Sequence, residues 1–381
     1  MRTLLSLLSL AALLGDAAAQ SCRFRDPVFP NVTRQNAIVY GNAINQFTGL
    51  PEDLLLDFYE PAGDPLAARP AFVVVHGGGF IGGSRSMGAM VGICTQLANA
   101  GYVAVSIDYR LGQAGIPTSP GVVQDAVFDF QAAVRWLRAN AAARRIDVDR
   151  IAALGGSAGA ATVLSSVYTS TTEGDSGNPG YSSRVRMVVE LWGALPVLNS
   201  MEAGEPPLFI THGTADQTVD FAEAVALASR AQAVGVPFEF RPIPGADHSA
   251  WTEYGQMYFD DTLAFAWQHL DLQPVAGLSV RPGFASPGVV QLDQHGLGGD
   301  VVILGYSVAP ANLPVPGLGV LGLDPAGLLV VGVQLLPNTA RMTSVTTSVT
   351  VPAGLGGITS WWQGLEAGLL TRLSNPLGTT F

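Results

Sequence analysis

Two glycine-rich motifs stand in an order that suits nucleophilic chemistry at a serine. His76-Gly77-Gly78-Gly79-Phe80 follows one apolar run, and Gly155-Gly156-Ser157-Ala158-Gly159 follows another. The second fits G-x-S-x-G, the sharp strand-to-helix turn that lifts a serine hydroxyl clear of a sheet. The first fits the H-G-G-G loop, whose backbone N–H groups help hold a developing oxyanion. Downstream lie Asp216, in His212-Gly213-Thr214-Ala215-Asp216, and His248, in Gly245-Ala246-Asp247-His248. A nucleophile, then an acid, then a base, with an oxyanion loop ahead of all three, is equipment for acyl transfer through a covalent intermediate.

Each role follows from a chemical requirement. A serine hydroxyl is a weak nucleophile until a base takes its proton, and His248, downstream of the acid, is the candidate base for Ser157. Asp216 follows the apolar run Leu208–Thr211, so a loop at the end of that strand would carry it to the histidine and fix the imidazole tautomer. Asp220 and Asp247 compete for that role, although Asp220 suits the start of the next helix, where a carboxylate is favoured. The backbone N–H groups of Gly78, Gly79 and Ala158 are the expected oxyanion hole, with the His76 ring bracing the loop. Phe80, Trp192 and Trp251 are candidates to line the substrate pocket, with core packing the alternative for Trp251. Arg110 is expected to form a structural pair with Asp108 or Asp125. Zinc-ligand spacing, an EF-hand loop and a dinucleotide G-x-G-x-x-G turn are all missing from the sequence, so neither a metal nor a cofactor is expected.

The elements that must position these residues are legible as an alternation. Apolar, β-rich runs occur at Leu54–Tyr59, Ala71–His76, Val103–Ile107, Ile151–Leu154, Met187–Trp192, Leu208–Thr211 and Phe238–Arg241. Between them, helical spacing marks Met90–Ala100, Val122–Ala143, Ala160–Tyr168, Phe221–Val234 and Trp251–Leu270. Val123, Val127, Phe130, Val134 and Leu137 recur every three or four residues, while Arg135 and Arg138 lie off that face. Strand–helix alternation of this kind predicts an α/β fold, a mostly parallel sheet with helices on both faces. After Gln273-Pro274 the composition shifts to glycine, proline, leucine and valine. Short runs at Gly288–Leu292, Asp300–Val308, Leu328–Leu336 and Met342–Val351 predict a small all-β domain, a sandwich, over 277–381. His295, alone in that stretch, reads as a turn residue.

The 381 residues are 48% apolar and 13% charged, enough for a large core and unlike a disordered chain. All 19 basic residues are arginine and the formal net charge is −11, which disfavours nucleic acid and anionic membrane surfaces as partners. At the N-terminus, Arg2, the apolar stretch Leu4–Leu14 and Ala17-Ala18-Ala19 predict a secretory signal peptide over residues 1–19, and hence export, most simply bacterial. Two cysteines follow that segment, Cys22 and Cys94, and an exported chain would allow one disulfide between them.

On His76–Phe80, Asp108–Arg110, Gly155–Gly159, His212–Asp216 and His248, the chain resembles the H-G-G-G carboxylesterases of the α/β-hydrolase superfamily. These are related to hormone-sensitive lipase and to secreted acetyl and feruloyl esterases. The resemblance covers roughly residues 35 to 272 and implies cofactor-free hydrolysis of carboxylic esters, with Ser157, Asp216 and His248 as triad. Two departures stand out. Ala160 occupies a position where many relatives have a further glycine, and the Trp192–Pro206 segment is too short for a large helical lid. The C-terminal stretch resembles β domains appended to exported bacterial hydrolases and would bind a polymer, bind a surface or stabilise its neighbour. The resemblance therefore implies a secreted serine carboxylesterase within a catalytic domain over 20–272. A polyester depolymerase and a feruloyl or acetyl-xylan esterase are the alternatives within the fold, followed by a serine peptidase. A non-catalytic binding protein is the reading from another class.

Overall fold

The structure is a computed structural model that describes residues 23–64, 66–116 and 118–272, together with strands between 278 and 380. The chain divides into two compact units, one of Asp26–Leu272 and one that groups Arg23–Arg25 with the strands beyond Leu272. The segment expected to be a signal peptide, 1–19, and Cys22 lie outside the described residues.

The unit spanning Asp26–Leu272 is built on eight strands: β1 Val32–Ile44, β2 Pro51–Pro61, β3 Arg69–Val75, β4 Val103–Ile107, β5 Ile146–Gly156, β6 Met187–Leu191, β7 Leu208–Gly213 and β8 Phe238–Ile243. They form one sheet in the order β1-β2-β4-β3-β5-β6-β7-β8. The first two pairings, β1 with β2 and β2 with β4, are antiparallel; every later one is parallel. Every residue of β3, β4, β6 and β7 is buried, so both faces of the central sheet are covered, as a parallel sheet requires.

Among the described residues, seven α-helices accompany these strands: α1 Gly88–Ala100, α2 Pro120–Ala139, α3 Ala141–Arg144, α4 Ala158–Tyr168, α5 Phe221–Val234 and, after β8, α6 Trp251–Met257 and α7 Phe259–His269. Their ends follow local chemistry. Ser119 caps α2, its side chain accepting from Val122 N ahead of a proline in the first turn, and Asp220 caps α5 by accepting from Ala222 N at 2.9 Å. Gly101 and Gly235 close α1 and α5 in the left-handed conformation.

Two elements differ from the sequence expectation. β1 carries no apolar run because it is an edge strand with most residues solvent-exposed. Its pairing with β2 shifts register twice, which blunts an edge. The helical stretch Trp251–Leu270 is two helices, broken at Tyr258, whose hydroxyl donates to Pro242 O at 2.8 Å.

Register along the sheet is what gathers the chemistry. Val75, the last residue of β3, lies opposite Gly155 near the end of β5, which puts the His76 loop beside the Gly156–Ser157 turn. Leu191 pairs with Thr211 and Gly213 with Ile243, so the loops after β6, β7 and β8 leave the same carboxyl edge. Sites in α/β sheets form at that edge.

The C-terminal unit consists of antiparallel strands. Val289–Leu297 pairs with Met342–Thr350 and Leu278–Val280, while Val301–Ser307 lies between Leu329–Leu335 and Thr359–Ala367. The four runs named from sequence fall on four of these strands. Pro310–Val315 and Gly319–Leu323, a further hairpin, were masked by their prolines and glycines. His295 is not a turn residue: it sits within Val289–Leu297, opposite Ser344. The run of polar residues Asp293-Gln294-His295 ahead of Gly296 is what concealed the strand in the sequence.

Candidate active site

Ser157 occupies a turn between β5 and α4 with φ 55° and ψ −122°, a left-sided conformation that a side chain rarely adopts. The turn persists because its surroundings determine it: Ser157 N donates to Leu191 O at 2.9 Å and Ala161 N donates to Ser157 O at 3.0 Å. Gly77 comes so close that a Cβ there would stand 3.0 Å from Ser157 Cβ and 2.9 Å from Gly156 O. The oxyanion loop and the serine turn therefore fit only without a side chain at 77. Gly78 and Gly79 follow with φ 121° and 62°. Ala158 is the first residue of α4, and N–H groups of a first helical turn have no acceptor within the helix.

His248 Nε2 lies 2.9 Å from Ser157 Oγ, and its Nδ1 lies 2.7 Å from Asp216 Oδ2. Because a carboxylate only accepts, Nδ1 carries the ring proton and Nε2 presents its lone pair to the serine hydroxyl. The Asp216 side chain has no exposed surface, and that of His248 is 15% exposed. Burial opposes ionisation of Asp216. The hydrogen bonds from His248, Val219 and Thr218 outweigh it and hold the carboxyl below its ordinary range.

The two loops that bring acid and base together are stitched to each other. Ala215 N donates to Ala246 O at 2.9 Å, Gly245 N to Thr214 Oγ1 at 2.8 Å and Gln217 N to Asp247 Oδ1 at 3.0 Å. The competing carboxylates are thereby accounted for: Asp220 caps α5, and Asp247 Oδ1 also accepts from His248 N at 2.8 Å.

His76 braces the oxyanion loop from below. Its ring is buried, stacks on Tyr109 at 4.4 Å and donates from Nδ1 to Gly77 O at 2.7 Å. Tyr109 closes the brace by donating from its hydroxyl to His76 O at 3.0 Å. Burial pushes the His76 imidazole below its ordinary range, which keeps the ring neutral beside the site.

The three aromatic candidates separate. Trp251 is part-buried, and its ring lies where a side chain on Gly156 would stand. Trp192 has no exposed surface; it packs edge-to-face on Trp251 at 4.6 Å and supports that ring rather than lining an open cleft. Phe80, at φ 63°, is partly buried against Tyr109. Ala160 is fully buried with Gly193 passing over it, a glycine whose own Cβ would collide with Ala160 Cβ. Between β6 and β7 the only helical element among the described residues is a single 3-10 turn, Leu198–Ser200, in keeping with the expected lack of a helical lid.

Several polar residues fall elsewhere. Arg110 pairs with Asp125 at 3.0 Å, as expected, and also with Asp129 at 2.7 Å, while Asp108 takes Arg85 instead. Cys94 is a fully buried free thiol in α1; its expected partner Cys22 lies outside the described residues. His269, also downstream of the acid, ends α7 against Phe265, far in sequence from the loops that form the site. No group of His, Cys, Asp or Glu among the described residues is arranged to hold a metal.

Sequence reading also passed over Glu190 and His212. Glu190 is completely buried in β6, accepts from Gly193 N, and is pushed up to about 8 by desolvation. A charged residue inside the apolar run Met187–Leu191 is the signal that could have found it. His212 closes on Asp216, and its spacing of four residues was the available signal.

The sequence model of the BD-FAE family matches residues 56–203, and that of the Prolyl oligopeptidase family matches residues 184–273. The first match contains the oxyanion loop and Ser157, the second Asp216 and His248. Among curated proteins, Acetylcholinesterase of Gallus gallus is 39% identical over 121 residues, 30% of this chain and 15% of that protein. Esterase E4 of Myzus persicae is 31% identical over 175 residues, 41% of this chain and 31% of that protein. The chain thus spans less than a third of either relative. Among solved structures, esterase Est2 of Thermogutta terrifontis with propionate bound superimposes with a TM-score of 0.52 at 27% identity, covering 64% of this chain and 94% of that one. A truncated carbohydrate esterase from gut microbiota shares the fold, with a TM-score of 0.52 at 20% identity, over 65% of this chain and 98% of its own. The chain belongs to the α/β-hydrolase superfamily, and the relatives it resembles there are esterases.

Proposed function

We propose that the protein is a secreted serine carboxylesterase that cleaves carboxylic esters through an acyl-enzyme. The observation that carries this reading is the chain of contacts from Ser157 Oγ to His248 Nε2 and from His248 Nδ1 to Asp216 Oδ2. Ser157 Oγ attacks the ester carbonyl carbon while its proton passes to His248 Nε2. The carbonyl oxygen gains the negative charge and is received by the N–H groups of Gly78, Gly79 and Ala158. Collapse expels the alcohol, which takes the proton from His248. Water, deprotonated by the same nitrogen, then releases the acid and restores the serine. Asp216 remains ionised throughout and stabilises the imidazolium.

Short acyl groups are the substrate class favoured. Est2 of Thermogutta terrifontis is seen with propionate and with butyrate bound. Here the packed pair Trp192 and Trp251 fills the space beside the serine turn. The segment between β6 and β7 carries a single 3-10 turn and no longer helix among the described residues, which favours acylated polysaccharides and polyesters next. Export is supported by Arg2, Leu4–Leu14 and Ala17–Ala19. A surface or polymer contact is assigned to the C-terminal unit on its position and composition.

The test is hydrolysis of p-nitrophenyl esters of graded chain length, run beside a polyester film and a feruloylated sugar. Turnover should be highest on acyl chains of a few carbons. Est2 also forms an adduct with paraoxon, and the same reagent should here add one phosphoryl group, located on Ser157 by peptide mass spectrometry. Absence of both turnover and adduct would overturn the reading.

A further inference from the structure

A second imidazole lies against the carboxylate of Asp216. His212, at the end of β7, has no exposed side-chain surface, and its Nε2 lies 3.1 Å from Asp216 Oδ2 and 2.9 Å from Val219 O. Both neighbours are acceptors, so Nε2 must carry a proton; it donates it to Val219 O and lays the polar N–H against the carboxylate. The other ring nitrogen, Nδ1, is buried with no hydrogen-bond partner. The ring is thus turned so that its protonated nitrogen bonds Val219 O and lies beside the acid.

Three donors bond the Asp216 carboxylate and a fourth N–H lies close to it. Oδ1 accepts from Thr218 N at 2.8 Å and Val219 N at 3.0 Å; Oδ2 accepts from His248 Nδ1 at 2.7 Å, with His212 Nε2 lying 3.1 Å from the same oxygen. His212 and His248 therefore converge on one oxygen, the one through which the acid acts on the base. Other carboxylates on the packed elements are committed elsewhere: Asp220 to Ala222 N, and Asp247 to His248 N and Gln217 N.

We propose that His212 is a positioning residue for ester hydrolysis, a fixed neutral N–H that pins the Val219 turn around Asp216 and, set against Oδ2, tempers the pull of the carboxylate on His248. The inference rests on the reading of Ser157, His248 and Asp216 given above. Removing the donor leaves the negative charge on Oδ2 less dispersed. The protonated form of His248 is then favoured, and the base becomes available only at higher pH.

The experiment compares His212→Leu, which has no donor, with His212→Gln, which keeps an N–H at similar reach, in the full-length protein. His212→Leu should lower kcat by about tenfold or more, the scale of a hydrogen bond to a charged group, with KM nearly unchanged. Its acidic limb of kcat/KM should move to higher pH. His212→Gln should recover most of the kcat and return the limb toward its original place. In the wild-type protein, long-range ¹H–¹⁵N spectra should show His212 with its proton on Nε2, a readout that needs neither a folded variant nor activity. A proton on Nδ1 would overturn the proposal, as would a His212→Leu enzyme with an unmoved acidic limb. A wild-type protein that hydrolyses no ester would instead sink the esterase reading and leave the tautomer measurement standing.

Discussion

The indole of Trp251 fills the space that a side chain on Gly156 would need: its Cζ2 lies 2.6 Å from where a Cβ at 156 would stand. Trp251 also opens α6, three residues after His248, and rests on Trp192. A single ring thus links the strand that presents the nucleophile to the helix that follows the base. Gly156→Ala should therefore push the ring away and cost about 1–3 kcal/mol, the range for overpacking a well-filled site. It should also lower kcat, because the displaced helix carries the His248 loop with it. Thermal melts and initial rates of the one variant test both; wild-type values for each would show that the ring moves freely.

Ser157 stores strain at the reacting position, with φ 55° and ψ −122°. Ser157→Ala should lose activity by about six orders of magnitude, as for the nucleophile of a comparable triad, and melt close to the wild type. Ser157→Gly should be equally inactive yet more stable by about 1 kcal/mol, since glycine adopts positive φ at little cost. A glycine variant less stable than the alanine one would mean that the turn carries no strain.

The resemblance of these motifs to a catalytic turn was readable because glycine spacing reports backbone demands directly: a loop that must touch another main chain cannot carry side chains. Gly77 against Ser157 is such a case. The central strands were readable for a different reason, burial on both faces, which makes β3 and β4 continuous apolar runs. β1 was opaque because an exposed edge strand carries polar residues on both faces. Asp129 was missed as the partner of Arg110 because helical spacing shows which face a residue occupies and not which cation arrives there. His212 escaped for a subtler reason: the four-residue step to Asp216 reads as loop chemistry until the chain folds back and places the ring against the carboxylate.

Glu190 gives a pH dependence with a definite sign. Its carboxyl is pushed up to about 8 by burial, with Gly193 N as a counteracting donor. In an unfolded chain a glutamate titrates near ~4.3. Between those values the folded protein keeps a proton that the unfolded chain has lost. Stability should therefore fall as pH rises from about 4 to about 8 and level off beyond. Glu190→Gln keeps the acceptor for Gly193 N–H and cannot ionise. Melting temperatures at pH 5, 7 and 9 should decline more steeply for the wild type than for the variant; parallel declines would place the titration elsewhere.

The division of the chain at Leu272 supports one more experiment. All of the elements that carry Ser157, Asp216, His248 and the oxyanion loop lie before that residue, and so do all eight strands of the sheet. A protein ending at Leu272 should therefore hydrolyse a small soluble ester at close to the full-length rate. If the C-terminal unit attaches the enzyme to a polymer, the same truncation should slow action on an insoluble substrate, because the enzyme loses its raised effective concentration at the surface. Running a soluble p-nitrophenyl ester and a polyester film with both proteins separates attachment from catalysis. A drop on the film alone supports a surface-binding unit. A truncated protein that is insoluble, or inactive on the soluble ester, would show instead that the strands beyond Leu272 are needed to complete the catalytic fold. Equal rates on both substrates would remove the polymer contact from the proposal and leave the esterase assignment untouched.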